Sequence, residues 1–214
     1  MSVSVDLRVL ELVCSRICHD LVSPVGAVNN GVELIREIAE EESSGGGLEA
    51  EALALIAHSA EQGSRRLRVL RLAYGAAGAD ASWEEIRGAI GQFFTGSRIA
   101  FTWPPEIDFQ LPENVRGFGK VLINAVLLAA DSLGQNGQIT VEARSNGATV
   151  AAVGSAPALD AERTAALAGR TAAADLDPRS IHAYVTARFA AHYGIGFVPS
   201  PIGTERLDFI LTTP

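Results

Sequence analysis

Residues 15–34 read SRICHDLVSPVGAVNNGVEL, and the spacing of their apolar side chains points to a helical first third of the chain. Apolar residues recur at intervals of three and four, and the pattern extends in both directions over residues 6–42. Such spacing places an apolar stripe along one face of a helix. The stripe comprises Leu7, Leu10, Cys14, Ile17, Leu21, Val25, Val28, Val32 and Ile35. We therefore predict one long helix, which Pro24 bends or loosens locally.

A second helical pattern covers residues 48–74, after the loop signal SSGGG at 43–47. Its stripe also alternates by three and four, and it comprises Leu53, Ile56, Ala60, Gly63, Leu67, Leu70 and Tyr74. Two such helices joined by a short loop pack as an antiparallel hairpin. One hairpin leaves an apolar face uncovered. We therefore predict a homodimer in which two hairpins form a four-helix bundle.

The pattern changes after GAAGADA at 75–81, which predicts a hinge or linker. Helices are predicted over 82–94, 114–133, 161–168 and 180–192. Strands are predicted over 98–103, 107–111, 138–143, 148–153, 195–200 and 206–212. This mixture predicts an α+β fold with a largely antiparallel sheet. We divide the chain into a helical hairpin at 1–77 and an α/β sandwich at 82–214.

Composition excludes several classes of protein. The 214 residues are 48% apolar, which excludes disorder, and no apolar run reaches the 18 residues that a membrane span needs. The start of the sequence lacks the pattern of a signal peptide, so we expect a soluble, cytoplasmic protein. The net charge of −8 argues against nucleic-acid partners and anionic membranes.

His19 is the candidate functional residue of the first helix. At 100° per residue it points about 200° away from Ile17, so it faces water. Its face carries small or polar residues that leave room for a docked surface, including Ser23, Gly26 and Asn30. On position alone, a solvated histidine without a function would fit as well.

The neighbours of His19 strengthen the functional interpretation. A carboxylate beside an imidazole, here Asp20, can hold one ring nitrogen as N–H and leave the other nitrogen its lone pair. A neutral imidazole can attack a phosphoryl group in line. Pro24 frees a backbone carbonyl near the site. The alternative is that Asp20 is a solubilising charge and Pro24 a tolerated kink.

SRICHDLVSPVG resembles the H-box of two-component histidine kinases, a His-(Glu/Asp)-Leu sequence followed by two variable positions and Pro. His19, Asp20, Leu21 and Pro24 match this pattern. Ser23 stands where many kinases have the Thr or Asn that helps to place a water for phosphatase chemistry. The longer string CHDLVSPVGAVNNGVEL resembles the ChpT-type histidine phosphotransferases of alphaproteobacteria, in which a phosphotransfer hairpin precedes a degenerate ATPase-like domain.

The second half departs from the kinase pattern at the positions that bind ATP. LINAVLLAADSL (122–133) resembles an N-box, but Leu128 replaces the Asn that ligates Mg²⁺, and Asp131 stands where a basic residue is usual. In AAVGSA (151–156), Ala152 and Ala156 replace the Asp and the second Gly of Asp-x-Gly-x-Gly. The Gly-rich lid is also missing from 175–184. Because a hard cation needs oxygen ligands and phosphates need nearby N–H donors, we expect an ATPase-like domain without nucleotide or other cofactor.

The second helix carries a basic cluster, RRLRVLR at 65–71. Counting outward from the loop puts Arg71 level with His19. Arg68 and Arg71 are therefore candidates for contacting a partner or the phosphoryl group. A solvated face with an Arg65–Glu61 pair explains the cluster equally well.

We discount the remaining candidate ligands. Cys14 and Cys18 lie one turn apart but lack the further ligands of a zinc site, and Cys14 falls on the apolar stripe. His58, His182 and His192 have no carboxylate neighbour in the sequence.

The resemblance implies a histidine phosphotransferase that moves a phosphoryl group between receiver aspartates through His19, in a multistep phosphorelay. It implies a hybrid histidine kinase as donor and response regulators such as CtrA as acceptors, with Mg²⁺ supplied by the receivers. One alternative is a non-catalytic dimeric docking module that binds a response regulator or kinase. Another is a kinase with an unusual nucleotide site.

Overall fold

Two long helices begin the chain: α1 (Leu7–Glu40) and α2 (Gly46–Tyr74). The computed structural model describes residues 6–40, 46–110 and 115–213. The remaining elements are α3 (Trp83–Phe94), β1 (Ile99–Thr102), α4 (Phe118–Leu133), β2 (Gly137–Arg144), β3 (Gly147–Val153), α5 (Ala161–Leu167), α6 (Ile181–Tyr193), β4 (Gly196–Ile202) and β5 (Arg206–Thr212). Within the described residues, no helix combines the length and apolar character needed to cross a bilayer.

The two helices pack as the predicted antiparallel hairpin, and small residues set their separation. A Cβ placed on Gly31 would lie 2.5 Å from Cγ1 of Ile56, and one on Gly63 would lie 3.5 Å from Cβ of Pro24. Glycine at position 31 therefore allows the helices to approach closely, whereas an added Cβ at position 63 would make only ordinary van der Waals contact. Pro24 is buried, and α1 continues through it.

A broad apolar face of the hairpin stays uncovered in the single chain. Its exposed large side chains are Leu7, Leu10, Val25 and Val32 on α1 and Leu48, Leu53 and Leu67 on α2. The stripe predicted a core position for Cys14, but Cys14 is exposed on this same face. The predicted four-helix bundle would cover this surface, and it stays a prediction.

The second half is built on a five-stranded mixed sheet with the order β1-β2-β3-β5-β4. The β1–β2 pair is parallel and the other three pairs are antiparallel, which confirms the predicted α+β class. Helices α4 and α6 pack on one face of the sheet. The opposite face carries both polar and exposed apolar side chains, and there Arg206 donates to Asp208 and Glu142.

One apolar core joins the end of the hairpin to the second half. Val69, Leu72 and Ala73 of α2 belong to the same cluster as Phe118 of α4 and Phe209 of β5. Helix α4 is buried along most of its length because the sheet lies on one side of it and α2 and α6 lie on others. The division into domains at 1–77 and 82–214 stays a prediction.

Two local predictions were wrong. Residues 107–110 belong to a 3₁₀ helix, Pro105–Gln110, rather than to a strand, and residue 111 lies outside the described residues. Pro105 is the first residue of this 3₁₀ helix, and its fixed φ suits a helical turn. The segment 75–81 contains the 3₁₀ turn Ala76–Ala79, where Gly78 is buried and a Cβ would overlap the Leu72 carbonyl. This segment is packed against its surroundings and is not an extended linker.

Candidate functional site

His19 stands out from α1 into solvent, with its side chain 89% exposed. This agrees with the orientation that the helical geometry predicted. Ser23 and Asn30 are also exposed on this side, and a Cβ on Gly26 would meet no atom within 4 Å. The approach to the imidazole is therefore open within the described residues.

Asp20 lies beside the ring. Its Oδ1 is 3.4 Å from Nδ1 of His19. Because a carboxylate only accepts hydrogen bonds, this contact favours the tautomer with the proton on Nδ1. Nε2 then keeps its lone pair and points toward solvent. A neutral imidazole in this state can act as a nucleophile.

Pro24 shapes the backbone beneath this pair. In a regular helix the carbonyl of Asp20 would accept from the N–H of residue 24, but proline has no N–H. Nη1 of Arg66, on α2, donates to this carbonyl at 3.4 Å. The sequence placed Arg66 in the basic cluster but gave no reason to single it out, because the contact depends on the register of the hairpin.

The observed register of α1 on α2 differs from the one predicted by counting residues outward from the loop. Helix α1 ends at Glu40 and α2 begins at Gly46, each two residues earlier than predicted. Asp20 is therefore opposite Arg66, and His19 is level with residues 67–68 rather than with Arg71.

The other arginines of the cluster have protein partners. Arg65 pairs with Glu61 at 2.5 Å, as the alternative interpretation predicted. Nη1 of Arg68 donates to Oε1 of Gln92 on α3 at 2.5 Å, and Nη2 of Arg71 donates to Oε1 of Glu85 at 2.9 Å. Both arginines lie on exposed surface next to the second half. Their role toward a partner or phosphoryl group stays a prediction.

A polar network joins α1 to the second half one turn before His19. Nη2 of Arg16 pairs with Oδ2 of Asp131 at 3.0 Å, and Nδ1 of His182 lies 3.3 Å from the same oxygen. Nε2 of His182 lies 3.2 Å from Oδ1 of Asn124. The sequence gave His182 no carboxylate neighbour. Asp131 precedes it by 51 residues, and only the fold brings them together.

Burial and charge determine the protonation of this network. Burial alone would raise the pKa of Asp131, but the hydrogen bond and charge of His182 and the Arg16 guanidinium lower it to about 2. Burial lowers the pKa of His182, and the hydrogen bond to Asp131 opposes that shift. Asp131 is therefore a carboxylate at neutral pH, and it accepts from both partners.

A cavity of about 180 Å³ lies between the hairpin and the second half, below Asp20. Polar groups of Arg16, Asp20, Arg66 and Asp131 line it together with Tyr74. The Tyr74 hydroxyl is buried near the Arg16 guanidinium but makes no hydrogen bond of regular geometry among the described residues. Burial raises the pKa of Tyr74 to about 12, although Arg16 acts in the opposite direction. Buried polar groups are usually satisfied, so this cavity suits ordered water.

The positions that the resemblance to an N-box matches with nucleotide-binding residues contribute to packing. Leu128 is fully buried in the core and offers no ligand atom for a cation. Nδ2 of Asn124 donates to the backbone carbonyls of Ala73 at 3.0 Å and of Lys120 at 2.8 Å. Ala152 is buried in β3. All three side chains are buried, and the absence of a bound nucleotide stays a prediction.

The fold and the exposed histidine together define a class of α+β proteins. In this class a helical hairpin presents an exposed imidazole, and the hairpin is followed by a half built on a five-stranded sheet. The family described as "Histidine phosphotransferase C-terminal domain" matches residues 83–201, more than half of the chain. A solved structure of a bacterial phosphotransferase is 27% identical with a TM-score of 0.74, and the match covers 98% of this chain and 98% of that one.

The protein phosphotransferase ChpT of Brucella abortus (strain 2308) is 37% identical over 147 residues, or 66% of this chain. The chain spans 65% of the length of this curated relative. From the family match, the chain belongs to the histidine phosphotransferase family. The resemblance drawn from residues 15–34 is therefore confirmed.

Proposed function

We propose that this protein is a histidine phosphotransferase that carries a phosphoryl group on His19 between the aspartates of two receiver domains. The observation that carries the proposal is the exposed His19 ring with the Asp20 carboxylate at Nδ1. Family membership and the relatives' names support the reaction class.

In the first step, the lone pair of His19 Nε2 attacks the phosphorus of a receiver aspartyl phosphate. An N–P bond forms, the P–O bond to the receiver aspartate breaks, and the freed carboxylate keeps the electron pair. The imidazole becomes cationic with its proton on Nδ1, and Asp20 stabilises this charge. In the second step, a carboxylate oxygen of another receiver attacks phosphorus, and the N–P electron pair returns to Nε2.

We expect this chain to bind no cofactor for the reaction. Phosphoryl transfer needs positive charge around the equatorial oxygens, and the described residues near His19 offer only Arg66 and Arg68 at its level. The receivers would supply Mg²⁺ and a lysine. Ser23, Gly26 and Asn30 leave space for the receiver surface to approach.

A homodimer accounts for the uncovered apolar face of the hairpin. Contiguous exposed apolar side chains on a monomer mark an interaction surface. The face runs along both helices, as a two-fold four-helix bundle requires. The donor would be the receiver of a hybrid histidine kinase and the acceptors would be response regulators such as CtrA, with no nucleic acid or membrane involved and a cytoplasmic location.

Incubation of the protein with a ³²P-labelled receiver domain tests the proposal. We expect an acid-labile, base-stable label on the chain that is lost in His19→Ala. His58→Ala is the matched control, because His58 is also an exposed histidine of the hairpin, and it should keep the label. Receiver binding without transfer would support the docking-module alternative instead. Labelling by ATP alone that is lost in His19→Ala would identify a kinase and contradict the proposal.

A further inference from the structure

Three elements meet at the carboxylate of Asp131. Arg16 reaches it from α1, His182 reaches it from α6, and Asp131 itself belongs to α4. The Arg16 and Asp131 side chains are only 19% and 27% exposed, and the His182 side chain is fully buried. These contacts are therefore shielded from water far more than a surface ion pair is.

The same network extends to the end of α2. Asn124, which contacts His182, donates to the Ala73 carbonyl, and Nζ of Lys120 donates to the Gly75 carbonyl at 2.7 Å. Both helices of the hairpin are thus tied to α4 by directional polar contacts.

Apolar contacts alone would leave the angle between the halves less defined. Leu12 of α1 packs against Leu176, Ile181 and Val185 of the second half, and such contacts are non-directional. Charged hydrogen bonds require a particular geometry. A buried ion pair gains little over an apolar pair of the same volume, although removing one partner is costly, and it can select one arrangement, which suits an orienting role.

The orientation of the second half matters for His19 because Arg16, which contacts the second half, lies close to His19 on α1. Arg16 precedes His19 by three residues, which corresponds to about 4.5 Å of helix rise. A folded partner placed over the His19 imidazole is much wider than this distance. The second half, which begins at the Arg16–Asp131 contact, is therefore within reach of such a partner.

We propose that Arg16, Asp131 and His182 form an orienting clamp that holds the second half at a fixed angle to α1, and that this angle determines how receiver domains are recognised. This inference rests on the proposed phosphotransfer function. The three residues are positioning residues, because they act on the docking surface and do not touch the phosphoryl group.

The experiment compares two phosphodonors. Phosphoramidate is small enough to reach His19 without meeting the second half, whereas a phosphorylated receiver domain must dock. In Asp131→Asn, which keeps the side-chain shape, we expect the KM for the receiver to rise about tenfold, the equivalent of about 1.4 kcal/mol. The kcat and the rate with phosphoramidate should stay within about twofold of the parent. Arg16→Gln should act in the same direction, and the double variant should be no worse than either single variant.

Arg116→Gln is the matched control. Arg116 forms an ion pair with Asp80 at 3.2 Å, with both side chains about 70% exposed, so its removal should leave both rates unchanged. Unchanged receiver KM in folded Asp131→Asn and Arg16→Gln would overturn the clamp, as would an equal loss with both donors. If Asp131→Asn does not fold, the receiver KM of Arg16→Gln decides whether the clamp is correct. A parent protein that accepts phosphoryl groups from neither donor would instead refute the proposed function.

Discussion

Asp131→Asn also tests whether the clamp contains a charged carboxylate. Asparagine keeps the shape of the side chain and one acceptor oxygen but removes the charge that faces Arg16 and His182. The folded-state pKa of Asp131 is about 2, below its ordinary value. Lowering the pKa of Asp131 from 3.8 to about 2 corresponds to about 2 kcal/mol of stability at neutral pH.

The sign of the pH dependence follows from this depression. The contribution is fully present above about pH 4 and disappears as the pH falls through about 4 toward 2, because the unfolded chain takes up the proton first. His182 also faces the carboxylate, and its lowered pKa reduces stability on acidification in both proteins. Because Asp131 raises the pKa of His182, this loss is larger in Asp131→Asn, and it is the decline of the difference below pH 4 that reports the carboxylate.

Urea unfolding at fixed protein concentration, at pH 7, 5, 3.5 and 2.5, measures this difference. We expect about 2 kcal/mol at pH 7 and 5, with a decline below pH 4. Asp80→Asn, in an exposed ion pair, should change stability by less than about 1 kcal/mol at every pH. A difference for Asp131→Asn that is as large at pH 2.5 as at pH 7 would refute the charged-carboxylate argument.

Further predictions concern the hairpin. Gly31→Ala should lower the melting temperature, because overpacking against the Ile56 side chain costs about 1–3 kcal/mol and outweighs a helix-propensity gain of about 1 kcal/mol. Gly26→Ala is the control and should raise the melting temperature, because an added Cβ there meets no neighbouring atom. Val25→Asp on the uncovered face should convert a dimer to a monomer, as measured by light scattering, whereas Val198→Asp on the exposed edge strand should leave the measured mass unchanged. A parent protein that is monomeric would contradict the four-helix bundle. Arg66→Gln should slow labelling by phosphoramidate about fivefold, since losing a charged hydrogen bond to the Asp20 carbonyl costs about 1 kcal/mol or more; an unchanged rate would show that this contact does not position His19.

The spacing of apolar residues predicted helices and strands wherever one face of the element is buried. It placed α1, α2 and the strands β2 and β3 within a few residues of their observed bounds. It also oriented His19 correctly, because the angle between residues of one helix follows from geometry alone. The family motif added Asp20 and Pro24, whose local contacts agree with it.

Contacts between distant elements could not be predicted in this way. The register of α1 on α2 depends on where the loop begins and ends, and an error of two residues at each end moved the expected partner of His19 by about one helical turn. The Asp131–His182 contact depends on how α4 and α6 lie on the sheet. Residues 107–110 alternate like a strand, but the neighbouring prolines favour a helical turn.

The buried position of Leu128 has a consequence for how such a protein can change over evolutionary time. An asparagine in place of Leu128 would put an unpartnered amide in dry, close-packed surroundings, at a cost on the order of 1–3 kcal/mol, before any nucleotide could bind. Close packing at this point of α4 therefore opposes the opening of a nucleotide cleft by single substitutions.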